Sequence, residues 1–215
     1  MSARAKKPVI LVSSTVYGIE ELLDRIYTLL MAFGYEVWMS HKGTMPVRSD
    51  RTAFENCLAA VEACDLFLGI ITPSYGSGKD GDELSITHQE IRRAIALPKP
   101  RWLLAHSDVV FARRLLRDIG NDTPEKRHKL KLKKGATSIT DLRVIDMYEE
   151  AIRHDDPLSE RNGNWVQAFD ADEDALRFAA AQFSRFQEVE EFIKENLADP
   201  ASVLASIDQR RGGKP

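Results

Sequence analysis

Three short clusters and one carboxylate are the residues whose types could do chemistry. Ser13, Ser14, Thr15 and Tyr17 follow a first apolar run, Ser40 and His41 follow a second, and Ser74, Tyr75 and Gly76 follow a third. Hydroxyls, turn amides and an aromatic ring suit a ribose-phosphate with a stacked base, so together they read as a nucleotide cleft. Ser/Thr residues at such places also cap helices and satisfy loop backbone without any ligand. The carboxylate is Glu90, within Ser85-Ile86-Thr87-His88-Gln89-Glu90-Ile91, on the opening turns of a helix and near the positive end of its dipole. There it would face a bound sugar. Thr87 and Glu90 also have the spacing of a capping box, in which Glu90 would bind only the Thr87 amide. Spacing alone leaves both readings open.

These clusters gain meaning from the elements that must carry them. The first half of the chain alternates short apolar strands with amphipathic helices, the pattern of a parallel sheet covered on both faces. Strands are expected at Pro8 to Val12, Tyr35 to Met39, Leu66 to Ile71, Trp102 to Ala105 and Trp165 to Phe169. The third is almost wholly apolar and therefore central. Ile19, Leu22, Leu23, Ile26, Leu29, Leu30 and Phe33 trace one face of a first helix that Gly34 stops. Phe54, Cys57, Leu58 and Val61 trace a second, Ile86 to Leu97 a third, and Asp170 or Asp172 caps a long last helix reaching about Leu197. The result is an α/β, flavodoxin-like five-stranded parallel sheet, whose ligands bind beyond the carboxyl ends of the strands.

Along the chain this gives a flexible N-terminus over residues 1–7 and an α/β core over 8–107. A helical insertion follows over 108–163, with helices at Val109 to Ile119 and Leu142 to Ile152. Residues 164–199 supply the last strand and helix, and 200–215 form a tail, disordered from Arg210. The stretch from Thr72 through Gly78 to the acidic Asp80-Gly81-Asp82-Glu83 is a loop. Leu176, Phe178, Phe183, Phe186, Val189 and Ile193 make the last helix more apolar than one buried stripe needs, which points to a contact with another subunit as well as to packing on its own sheet.

Composition narrows the classes. At 215 residues, 43% hydrophobic and 29% charged, the chain suits one domain with a full core. A formal net charge of -3 exerts no global pull on nucleic acid or anionic membrane. The basic run Lys126 to Lys134 reads as a solvated face, and nucleic acid is not an expected partner. The run Val9 to Val12 is far too short for a signal peptide or a span, so a cytoplasmic location without membrane contact is expected. Cys57 and Cys64 lie roughly 10 Å apart along a helix, too far to pair, and read as reduced core thiols. His41, His88, His106, His128 and His154 show no metal-ligand spacing, and His88 is expected on a helix surface.

A resemblance adds to this reading. Ile10-Leu11-Val12-Ser13-Ser14-Thr15-Val16-Tyr17, Cys64-Asp65-Leu66-Phe67-Leu68-Gly69-Ile70-Ile71, Tyr75-Gly76 and Ser85 to Ile91 resemble a bacterial TIR-like family of formally unknown function. Its members often precede NTPase modules in candidate immune proteins. The likeness covers Pro8 to Ala105. TIR domains and the related nucleoside deoxyribosyltransferases share the fold, and their enzymatic members use a glutamate on the third helix, which Glu90 matches here. The resemblance therefore implies an NAD nucleosidase or ADP-ribosyl cyclase-like glycosidase of antiphage defence, with NAD as substrate and no cofactor. It implies a homo-oligomer or a partner immune protein. A non-catalytic nucleotide-sensing or self-association module and a deoxyribosyltransferase are the alternatives. The chain departs from the family pattern in having no recognisable NTPase module and in the helical stretch Asp108 to Gly163.

Overall fold

Leu66–Ile71 (β3), buried at every position, forms the middle of a five-stranded parallel sheet. The computed structural model describes residues 7–76, 84–97 and 99–196, with side chains through Arg185 in the last helix. β3 is flanked by Val9–Ser14 (β1) and Arg101–His106 (β4), while Glu36–Trp38 (β2) and Val166–Phe169 (β5) are the edges. The order β2-β1-β3-β4-β5, all parallel, is the flavodoxin-like arrangement. A parallel sheet must be covered on both faces, which is why its middle strands carry unbroken apolar runs instead of alternating ones.

Glu20–Ala32 (α1) and Asp172–Asn196 (α7) cover one face, where Leu22, Leu23, Ile26 and Leu30 meet Ile10, Leu68, Leu104 and Phe183. α1 stops where expected. Gly34 takes φ 95, and the Gly34 and Tyr35 amides donate to the Met31 and Leu30 carbonyls, a paired C-terminal closure that requires a left-handed residue. Tyr35 then donates its hydroxyl to the Phe183 carbonyl at 2.8 Å, joining the turn between α1 and β2 to α7.

Ala53–Ala63 (α2), Ile86–Ala96 (α3), Ser107–Asp118 (α4) and Arg143–Ala151 (α6) cover the other face. Between α4 and α6 lies the single turn Pro124–Arg127 (α5), and a 3-10 turn, Leu158–Glu160, precedes β5. The helical stretch thus contributes to the core. Val144, Ile145, Met147 and Ala151 are buried in the same core as Leu11, Phe67 and Leu103, because the face of α6 that carries them lies against α3 and α4.

Several expectations require correction. β1 runs two residues past Val12, since Ser13 and Ser14 continue the ladder opposite Gly69 and Ile70. Arg127, within the basic run expected to be solvated, is 1% exposed. Its guanidinium meets Asp146 Oδ1 at 2.6 Å and Glu149 Oε2 at 2.5 Å, so α6 supplies the charge that burial demands. Neither expected cap holds α7: Asp172 is already helical and Asp170 accepts from Ser107. Phe178 packs half-buried on its own sheet, and Phe186, Val189 and Ile193 lie outside the described side chains. The loop Asp80 to Glu83, the first six residues and the tail 200–215 also lie outside the described residues. No described helix is long and apolar enough to cross a membrane.

Gly69 sits at the tightest point of β3. A Cβ there would come 2.6 Å from Leu103 Cδ2 and 3.0 Å from Phe67 Cε1, both in the closed core. Gly69→Ala is expected to cost about 1–3 kcal/mol through overpacking, lowering the thermal midpoint by several degrees. An unchanged midpoint would show that Leu103 has room to move.

Candidate active site

Glu90 is placed by the start of α3. Ser85 is the N-cap: its hydroxyl accepts the His88 amide at 3.3 Å while its backbone stays extended. Glu90 is therefore the fifth helical residue, pointed back toward the sheet. Its Oε2 accepts the Ser13 hydroxyl at 2.6 Å across 77 residues of sequence, and the Cys57 thiol of α2 also donates to it. The capping-box alternative fails here because Ser85 already fills the cap. The chain does build a capping box, at Thr52 and Glu55 of α2, with reciprocal contacts of 2.7 and 3.2 Å.

Glu90 is 6% exposed. Burial pushes its pKa up from 4.5 to about 7, against the pull of the Ser13 and Cys57 hydrogen bonds. Burial and the neighbouring Glu90 together push the Cys57 thiol up to about 12, so it acts as a neutral donor. Both cysteines are free thiols, as expected. A carboxyl that changes charge near neutrality, held by two short side chains, is poised for acid–base or electrostatic work.

Behind Glu90 runs a second polar chain. Tyr75 is 1% exposed, and its hydroxyl lies 2.8 Å from His88 Nδ1 while accepting the Ser85 amide at 3.3 Å. His88 Nε2 stands 3.1 Å from Glu150 Oε2 but out of hydrogen-bond alignment. Burial works upward on Glu150, yet the forked Arg92 contacts at 2.6 and 2.5 Å, together with His88, hold its carboxyl at about 2. The Tyr75 amide donates to Thr140 Oγ1 at 2.9 Å, and the Arg143 guanidinium lies 4.9 Å above the Tyr75 ring.

The expected site residues thus divide. Ser13 joins Glu90, and Thr15 meets Gly76: at φ +91 a Cβ on Gly76 would come 3.3 Å from Thr15 Oγ1. Ser14 spends its hydroxyl on the Ile70 and Thr15 carbonyls. Ser74 is half-buried and braced by Thr72, Ser40 is exposed on a turn closed by Gly43, and Tyr17 is 71% exposed. No described hydrogen bond links Ser14, Ser40, Ser74 or Tyr17 to Glu90. His41 turns toward Asp24 of α1, 4.0 Å away. Two readings change. Tyr75 offers no open ring face for a base, because Arg143 covers it and its hydroxyl is committed to α3. His88 is a buried link and not a surface residue. Cys57 was expected only as a core thiol, and Thr140, Arg143 and Glu150 were not expected at the site, since nothing local ties the last three to a cleft built from the first half of the chain.

A family model described as "Domain of unknown function (DUF4062)" matches residues 9–198. No curated protein matches the chain. Among solved structures, the chain is similar to one described as "Crystal structure of conserved protein from Enterococcus faecalis V583". That likeness has 13% identity and a TM-score of 0.42, over 82% of this chain and 99% of the other, and nothing is inferred from it.

Proposed function

The chain belongs to the DUF4062 family, described as a domain of unknown function, and on that premise we propose an activity from the site itself: a TIR-like nucleotide N-glycosidase that cleaves NAD. The observation that carries the reading is Glu90, buried, free of any capping duty and held by Ser13 at 2.6 Å beside the carboxyl end of β1. In a flavodoxin-like sheet that end is where ligands bind.

The chemistry asks for one carboxylate. The C1′–N bond to nicotinamide breaks with its electron pair passing to the ring nitrogen, which neutralises the pyridinium and needs no proton donor. The ribosyl centre becomes oxocarbenium-like, and an ionised Glu90 stabilises that charge. Water then adds at C1′ and gives up a proton, leaving ADP-ribose, nicotinamide and one proton. An internal nucleophile in place of water would give a cyclic nucleotide. Ser13 keeps the carboxylate aimed. The setting that goes with the resemblance is bacterial antiphage defence in the cytoplasm, as a homo-oligomer or with a partner immune protein.

Because Glu90 must be ionised, kcat/KM for NAD is expected to climb about tenfold per pH unit below about 7 and to level above it. The test is nicotinamide release from NAD by the purified chain, alone and with candidate activators, across pH 5 to 9. A flat profile, or release undiminished in Glu90→Gln, removes the assigned role.

One observation favours a second reading. Glu90 is satisfied by Ser13 and Cys57 within a nearly closed surround, which also suits a non-catalytic nucleotide-sensing or self-association module. Saturable nucleotide binding or oligomers without turnover would select it.

A further inference from the structure

We propose that the cavity where β4 and β5 meet α7 is a second binding site, for a planar aromatic ring that bears an anionic group and is no larger than a mononucleotide. It is independent of the proposed Glu90 chemistry. Arg101 opens β4 and Trp165 precedes β5, so the cavity lies at the amino ends of the strands, opposite the end at which Glu90 meets Ser13.

The cavity encloses about 360 Å³, toward the lower end of small-molecule sites. Its charge comes from Arg101. Among the described residues no carboxylate pairs with this guanidinium: Nη2 donates to the Asn162 carbonyl at 3.0 Å, and the buried Nε has no hydrogen-bond partner. Arg153 donates to that same carbonyl at 3.1 Å, and its own carboxylate partner, Asp156, leaves Arg101 uncompensated. Burial and the charge of Arg153 both push the Arg101 pKa down, the direction expected of a cation with no counter-ion. A half-buried, unpaired charge is costly, and a bound anion removes the cost. Gly163 makes room for the guanidinium itself: a Cβ there would stand 2.7 Å from Arg101 Nη2.

The rest of the lining suits a ring. Trp165 leaves 74% of its surface in solvent, Trp102 tilts over Phe183 at 4.9 Å, and Phe178 closes a side. A planar ligand laid on Trp165 would cover exposed indole and bring an attached phosphate or carboxylate toward Arg101. The amides of Gln167 and Gln182 also line the cavity, within the set of groups that can orient ring heteroatoms.

The chain has three tryptophans, and Trp38 ends β2 away from this cavity. In a Trp38→Phe background, intrinsic fluorescence therefore reads Trp102 and Trp165. The titrants are AMP and benzoate, which carry the anion as phosphate or carboxylate, with adenosine and inorganic phosphate as half-ligands. Saturable quenching is expected from at least one ring-bearing anion, with the half-ligands about tenfold weaker or worse. Glu90→Gln should leave the titration unchanged, whereas Arg101→Met and Trp165→Ala should each weaken it about tenfold or more. Trp165 is exposed enough that its variant folds even if Arg101→Met does not. No saturable quenching by AMP or benzoate overturns the proposal, and so does binding that keeps full affinity in Arg101→Met or Trp165→Ala.

Discussion

Glu90→Gln is expected to cut nicotinamide release by a factor of about 100 or more while making the fold more stable relative to wild type as pH rises. The two effects have one cause. Glu90 has a folded pKa of about 7 against an unfolded value near 4.5, so the native state prefers the protonated carboxyl. Between those values the folded chain binds more protons than the unfolded one, and stability must fall with rising pH. The contribution is fully present below about pH 4.5 and is lost as pH passes through about 7, a loss on the order of 3 kcal/mol. Glutamine keeps an acceptor for Ser13 but cannot ionise, so the variant lacks this slope. Urea unfolding at pH 4, 6 and 8 should show the difference between variant and wild type growing in the variant's favour by roughly 3 kcal/mol across the series. A difference that stays constant with pH would mean that Glu90 ionises as an ordinary surface carboxyl does. Any slope from Glu150, whose carboxyl is held at about 2, runs the opposite way and is common to both proteins.

The second large effect is expected at Arg127, which has no part in the proposed chemistry. Its guanidinium is closed in by Asp146 and Glu149 of α6, donates a third contact to the Asp122 carbonyl at 3.1 Å, and shares Asp146 with His128 at 2.7 Å. Glu149 is also held by Arg113 of α4 at 2.9 Å, so the cluster ties α4, α5 and α6 together. Arg127→Leu leaves both carboxylates short of a partner inside the fold and should cost about 3–5 kcal/mol in urea unfolding. Asp146→Asn in the same chain should restore part of that loss, because it removes one of the stranded charges. A cost below about 1 kcal/mol would show that water reaches the cluster and screens it. Since Thr140, Arg143 and Glu150 brace the Tyr75–His88 chain from this same segment, loosening it should also disturb the ground on which α3 stands.

Much of the fold was legible because its signals are local. The six apolar residues of β3, the three-four spacing of α1 and the stop at Gly34 each lie within one short window, and each element formed where that window placed it. The cap of α3 shows where local reading ends. Ser85 and Thr87 both have the chemistry of a cap, and the glutamate three residues after Thr87 favours the wrong one. Ser85 caps because Thr87 is buried in the helix and the Glu90 side chain has a better partner in the sheet.

What the sequence determined by itself was the alternation of strands and helices, the central place of β3 and the position of Glu90 on the opening turns of α3, because periodicity and chain punctuation act over a few residues. Only the tertiary structure decided what surrounds Glu90. Ser13 comes from β1, Cys57 from α2, and the groups that bury Tyr75 come from the helical segment before β5. Whether a carboxyl is solvated or closed in depends on which distant elements pack over it, and that packing moved Glu90 from a possible helix cap to a buried group that titrates near neutrality.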